Sequence, residues 1–128
     1  AASSDYPLRD VYKRQHQTGD EVLAIVASIL KENCRSGDYA ARIGGEEFVV
    51  LLNHCDAENA CRRAEAVRER IAGTKPGGIP VTASFGVTAL PIGRQASFDD
   101  LFAIADKALF QAKSAGRNRV QFLPLTEA

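Results

Sequence analysis

Gly44-Gly45-Glu46-Glu47-Phe48 lies between two short apolar runs, 39–43 and 48–52, and follows Arg35-Ser36-Gly37-Asp38. Two adjacent glycines let the backbone reach positive φ and approach a ligand closely, so the segment is predicted to be a tight antiparallel hairpin with two carboxylates at its tip. Such a tip suits a divalent metal held against a phosphate. A plain Gly-Gly turn with two solvated glutamates has the same sequence, and the surrounding chain has to decide between them.

Working outward, Val22, Leu23, Val26, Ile29 and Leu30 recur at helical spacing behind Asp20 and Glu21, predicting a helix from about Asp20 to Asn33. Asp56 is placed to cap a second helix whose Ala60, Ala64, Val67 and Ile71 form one stripe and which ends near Gly73. Val81, Ala83, Phe85, Val87 and Ala89 alternate with small or polar residues, as in a long strand. Ser97 to Asp100 has the form of a capping box opening a third helix, with Gly116 as its stop, and Val120 to Leu123 reads as a last strand. Hairpin, helices and strands in this order imply an α+β fold, an antiparallel sheet with helices packed on it.

Composition narrows the function classes. The 128 residues fit one domain, with 45% hydrophobic and 25% charged content of ordinary globular kind. Sixteen basic residues balance sixteen acidic ones, and no basic stripe or aromatic platform marks a nucleic-acid reader. No apolar stretch approaches the ~20 residues of a membrane span. Cys34, Cys55 and Cys61 have no CxxC spacing and are expected to be small thiols in a reducing compartment; with only His16 and His54, a Cys/His zinc site has little support.

Four separated elements then coincide. Gly19-Asp20-Glu21-Val22-Leu23, Arg42 to Phe48 around the Gly-Gly turn, Ser84-Phe85-Gly86-Val87, and Ala112-Lys113-Ser114-Ala115-Gly116-Arg117-Asn118 resemble, in order and spacing, the GGDEF domain of diguanylate cyclases. The resemblance spans residues 16–124, leaving 125–128 as a short tail. It implies a ferredoxin-like nucleotidyl-cyclase palm that condenses two GTP into cyclic di-GMP and pyrophosphate, each subunit of a homodimer presenting one GTP. It implies Mg²⁺, or Mn²⁺, held by Glu46 and Glu47, with Glu46 also a candidate base. Gly44 and Gly45 would lie against the nucleotide. Lys113 and Arg117, four residues apart, would contact the triphosphate; two solvated charges near a helix C-terminus are the plainer alternative.

Asp20 and His16 match the family's guanine-side positions. A carboxylate accepts well from the guanine N1-H and N2-H edge, although Asp20 also suits a helix cap and His16 an ordinary loop position. Arg35 and Asp38 fall where the family carries its RxxD inhibitory site for cyclic di-GMP, a pattern that elsewhere is usually a surface ion pair. The resemblance further implies an upstream sensory domain and a cytoplasmic location, with no nucleic-acid or membrane contact by this domain.

The start of the chain departs from the family. Gapless extension upstream of His16 finds Ser3 where a metal-binding Asp belongs and Val11 where a guanine-reading Asn belongs. Recruiting Asp5 or Asp10 instead gives no matching context, and Pro7 disfavours a central strand. Asp10 to Gln15 resembles the translation of a transposase adaptor end used in DNA sequencing, so residues 1–15 are expected to be a non-family, partly artefactual segment. The family's first strand and helix are therefore expected to be missing and activity impaired, with unpaired strand edges at the sheet centre unless residues 1–15 substitute. A noncatalytic receptor for cyclic di-GMP or GTP is the alternative function.

Overall fold

The computed structural model describes residues 1–5, 16–75 and 78–125, with the backbone alone for 16–19. Among the described residues, eight elements run in the order β1 (Ala2–Ser4), α1 (His16–Glu32), β2 (Tyr39–Gly44), β3 (Glu47–Leu51), α2 (Ala57–Ala72), β4 (Ala83–Val87), α3 (Phe98–Ser114) and β5 (Val120–Phe122). The strands form one sheet ordered β2-β3-β1-β4-β5. Three of its four pairings are antiparallel, and β5 runs parallel to β4 after the α3 crossover. The predicted α+β palm is the observed fold.

Side-chain alternation sorts the layers. Ala2, Phe48, Ala83 and Phe85 point to one face, where Val22, Val26, Ile29 and Leu30 of α1 and Val67 and Ile71 of α2 complete the core. Ser3, Glu47, Ser84 and Gly86 point to the other, beneath α3. A Cβ on Gly86 would lie 2.1 Å from the Ala105 carbonyl oxygen and 2.2 Å from the Leu109 nitrogen. Only glycine lets α3 lie directly on β4 and bring its C-terminal half over Ser3.

The caps are as expected. The Asp56 side chain accepts from the Asn59 N–H, and Ser97 and Asp100 form a reciprocal capping box. Gly116, at φ +123°, follows the end of α3. Helix α1 begins at His16, about one turn earlier than its apolar stripe indicated.

One expectation is corrected: a first strand is present. Residues 2–4 lie at the sheet centre, with Ala2 opposite Phe48 and Phe85 and Ser3 opposite Glu47 and Ser84. The Gly86 N–H donates to the Ala1 carbonyl at 2.7 Å and the Asp5 N–H to the Thr82 carbonyl at 2.9 Å. Ala-Ser-Ser is small enough to pass between β3 and the α3-covered β4, and Pro7 lies outside the described residues. The strand is short, however. An apolar cavity of about 190 Å³ is lined by Val49 and Leu51 of β3 and by Val87 and Leu90 at the end of β4, among others. Strand β4 ends at Val87 instead of continuing to Ala89. The expected loss of the first helix, and the Asp10 to Gln15 stretch, lie outside the described residues.

Candidate functional site

The hairpin turns in two residues, Gly45 and Glu46, between paired Gly44 and Glu47, with a register shift at Arg42 to Gly44. Gly45 takes φ +47°, which a side chain would resist, and the Arg42 Nε–H donates to its carbonyl at 2.8 Å. This bond ties the β2 side of the hairpin to its tip. Glu46 is thereby presented at the turn and Glu47 one residue later, under α3.

Lys113, near the C-terminus of α3, reaches across the sheet to this tip. Its Nζ donates to Ser3 Oγ at 2.7 Å and lies 3.7 Å from Glu46 Oε1. Ser3 is only 2% exposed. The structure therefore joins Ser3, Glu46 and Lys113 from three elements far apart in sequence. Arg117, just past α3 and at φ +64°, lies on the same side, 3.5 Å from Asp5 Oδ1.

Glu47 is poorly solvated. Its Oε1 is buried without a hydrogen-bond partner among the described residues. Burial raises its pKa above the ordinary carboxyl value and the neighbouring Asp106 carboxylate adds to this; the Ala1 ammonium and Lys113 oppose it. Burial also lowers the Ala1 ammonium, to about 6.

A hard divalent cation takes six or more oxygen ligands, and Mg²⁺ fills its six with one or two carboxylates, waters and substrate phosphates. Glu46 and Glu47 supply two, with one orphaned oxygen between them. No group of three or more His, Cys, Asp or Glu side chains among the described residues is arranged to hold a metal ion. Where a third carboxylate would complete the set stands Ser3, and the ammonium of Lys113 is seated on it. Without a nucleotide to bring phosphate oxygens, the residues present do not fit a resident divalent ion.

A second feature opens on the other face. A cleft of about 380 Å³ between α1 and β2 is lined by Asp20, Leu23, Ala24, Lys31, Arg42 and Phe48, among others. Asp20 is exposed there, and Arg42 connects the cleft to the hairpin tip. The side chain of His16 lies outside the described residues.

Asp38 is placed quite differently. Its side chain is 2% exposed. It accepts from the Arg35 N–H at 2.9 Å, the Asn53 N–H at 2.8 Å and the Arg63 guanidinium at 2.8 Å. The first two bonds, then Arg63, hold the carboxyl well below the usual range. Arg63 donates as well to the Asn33 carbonyl, so one arginine of α2 ties down the end of α1 and the turn that follows. The Arg35 side chain is exposed.

Three residues have roles in the structure that the sequence does not assign them. Asp5, 5% exposed, accepts from Thr82, Ser84 and the Asn118 N–H, anchoring the loop that carries Arg117. Asp106 lies seven residues before Lys113 on one face of α3, a spacing that marks the pair in sequence. Arg63 had the signal of a basic residue on a helix following the Arg35 turn, but two other arginines nearby have the same signal.

The family model for "Diguanylate cyclase, GGDEF domain" matches residues 13–119. The chain belongs to the GGDEF domain family. It is 38% identical over 109 residues to diguanylate cyclase DosC of Escherichia coli K12, covering 83% of this chain and 24% of that protein. To diguanylate cyclase DgcM of the same strain it is 43% identical over 114 residues, covering 88% of this chain and 27% of that protein. The chain thus spans about a quarter of the length of these relatives. Among solved structures, the active GGEEF domain of a Vibrio cholerae diguanylate cyclase superposes with a TM-score of 0.85 at 28% identity, over 99% of this chain and 81% of that one. The GGDEF domain of DgcB from Caulobacter crescentus, solved in complex with c-di-GMP, gives 0.82 at 29% identity, over 94% and 74%. The family match starts after β1, so Ala2 to Ser4 lie outside it. Among the described residues no helix is long and apolar enough to cross a membrane.

Proposed function

We propose that this chain is the nucleotide-condensing domain of a diguanylate cyclase, joining two GTP into cyclic di-GMP with loss of pyrophosphate, and that its turnover is low as the chain stands. The observation that carries the reading is the convergence of the signature hairpin and the end of α3, with Lys113 Nζ 3.7 Å from Glu46 Oε1. A triphosphate laid along this end meets two cations, Lys113 and Arg117, while Gly44 and Gly45 allow its close approach. Asp20, at the mouth of the α1–β2 cleft, suits the donor edge of guanine. Glu46 is the group placed to take the proton of an attacking ribose hydroxyl. One GTP per domain then requires a second copy facing the first. The family uses a divalent ion, Mg²⁺ or Mn²⁺ in this reading, which neutralises charge on the reacting phosphate when bound. Low turnover follows from Ser3, which brings no charge to that end.

The test is product formation from GTP with Mg²⁺ or Mn²⁺, read as cyclic di-GMP and pyrophosphate against the Glu46→Gln variant. Slow product in the wild type, lower by orders of magnitude in the variant, supports the reading. Equal rates overturn it.

The Ser3–Lys113 contact favours a second reading, a receptor that binds cyclic di-GMP without turning over GTP. The exposed Arg35 guanidinium is the group that would fork onto a phosphate or guanine edge. Arg35→Ala should weaken cyclic di-GMP binding by about one to two decades in calorimetry. Unchanged affinity removes the inhibitory-site assignment. Asp38 enters this site as the clamp that shapes the turn, since its oxygens already accept three protein donors.

A further inference from the structure

We infer that the ammonium of Lys113 is the resident cation of the hairpin end, in place of a divalent ion, and that this chain binds divalent ions weakly until that ammonium is moved or a carboxylate is added at position 3.

Ser3 Oγ, the acceptor nearest Lys113 Nζ at 2.7 Å, comes from the centre of the sheet, and Glu46 Oε1 lies 3.7 Å away on the turn. Lys113 also faces Glu47, beside Asp106. The end thus sets Glu46 and Glu47, with Asp106 beside Glu47, against Lys113 before any ion arrives. Exchanging the tethered ammonium for a hydrated divalent ion costs the Ser3 and Glu46 contacts and returns only two carboxylates and a hydroxyl. Calcium and magnesium sites weaken as ligand charge falls, and Mg²⁺ in addition gives up its water reluctantly. An aspartate at position 3 reverses this balance, because it adds the missing charged ligand and gives Lys113 a second anionic contact on the same side.

The consequence for binding is an order of events. A triphosphate competes with Glu46 and Ser3 for the three N–H donors of Lys113, so its arrival loosens the ammonium's hold on that carboxylate and frees it for an ion. Divalent ion and nucleotide are therefore expected to bind cooperatively, each weakly alone. The inference rests on the diguanylate-cyclase reading only for the identity of that nucleotide.

The deciding experiment is a Mn²⁺ titration of the full chain without nucleotide, followed by the electron paramagnetic resonance of free Mn²⁺, on the wild type, Ser3→Asp, Ser3→Asn and Lys113→Gln. The wild type should bind in the millimolar range. Ser3→Asp should bind about tenfold tighter or more, and Lys113→Gln severalfold tighter, while Ser3→Asn stays at the wild-type value. Micromolar wild-type binding that Lys113→Gln leaves unchanged overturns the inference, as does an equal gain from Asn and Asp. Should Ser3→Asp fail to fold, Lys113→Gln decides alone, since Lys113 is part-exposed and outside the core. Failure of GTP to bind, with the Mn²⁺ order as expected, counts against the proposed function and leaves this inference standing.

Discussion

Asp38 and Glu47 stand at opposite ends of the same hairpin, the one just before β2 and the other opening β3. Both are acidic side chains pressed against a helix, yet Asp38 accepts from three protein donors while Glu47 has a buried oxygen with none. Their carboxyls are shifted in opposite directions, Asp38 down by its donors and Glu47 up by burial. Buried polar groups in folded proteins are nearly always satisfied, and exceptions tend to mark places where something else binds. The contrast separates a residue that holds the fold from one held in readiness by it. It also explains why the Arg35 end can be rigid while the Glu46 end has charge to spare.

The largest effect is expected where the helix over Glu47 is seated. Gly86→Ala puts a methyl 2.1 Å from the Ala105 carbonyl oxygen and 2.2 Å from the Leu109 nitrogen, both backbone atoms. Helix α3 must lift, carrying Asp106 and Lys113 away from Glu47 while the Asp38 clamp is untouched. Overpacking of this kind costs ~1 to 3 kcal/mol when side chains can yield, and here none can, so the loss in urea unfolding should exceed about 3 kcal/mol. An unchanged midpoint would mean that α3 does not lie on β4 as described.

Next comes the clamp itself. Asp38→Asn keeps the shape but cannot accept from Arg35, Asn53 and Arg63 together, so the melting midpoint should fall by on the order of ten degrees at neutral pH. The pH dependence has a definite sign. The folded carboxyl lies below its unfolded value, so its contribution is full above the ordinary carboxylate pKa of about 4 and is lost as pH falls below it. Melting the two proteins from about pH 7 to pH 3 should show the gap closing on acidification. A gap independent of pH would assign the loss to packing.

Much of this was legible in sequence because it rests on local rules. The Asp56 cap, the Ser97–Asp100 box, the Gly-Gly turn and the apolar stripes each depend on residues within a few positions, and α1, α2, α3 and the hairpin stand where those rules put them. Glu46 and Lys113 were legible by resemblance, and the structure brings them together. The central strand was not legible, since Ala2-Ser3-Ser4 has no alternation or β-branched residue and exists only through pairing with β3 and β4. Nor was the Asp38–Arg63 pair, whose partners are 25 positions apart. Arg35-Ser36-Gly37-Asp38 has the pattern of a ligand-gripping pair, and sequence alone gives no sign that its Asp side chain is already engaged by the protein.

Glu47→Gln probes the unsatisfied end. Because burial raises this carboxyl in the folded state, the native protein binds the extra proton between the ordinary value and the raised one, and stability falls as pH climbs through that window. A neutral amide removes the cost. The variant should melt a few degrees higher than the wild type at neutral pH, with the gain vanishing as pH falls toward about 4.5, the ordinary value. It should also lose any cyclase activity, the usual trade between stability and a strained site. A lower midpoint at neutral pH would show that Glu47 is held by favourable charge contacts, and the contrast with Asp38 would collapse.

The smallest effect tests whether an unsatisfied oxygen at this sheet centre must signify function. Thr88 Oγ1 is the second buried side-chain oxygen without a partner among the described residues, and Thr88 lines the apolar cavity beside the end of β4. No charged group among the residues lining that cavity other than Arg63 and the Ala1 terminus gives it chemistry to perform. Valine has the same shape without the hydroxyl, so Thr88→Val removes a desolvated donor and acceptor and should raise unfolding stability by about 1 kcal/mol, with activity and nucleotide binding unchanged. That would distinguish an orphan without function from the orphan on Glu47, whose removal is expected to abolish cyclase activity. A loss of stability would mean that water enters the cavity and satisfies the hydroxyl, as a polar site of sufficient size permits, and the sheet centre would then be wet rather than merely unfilled.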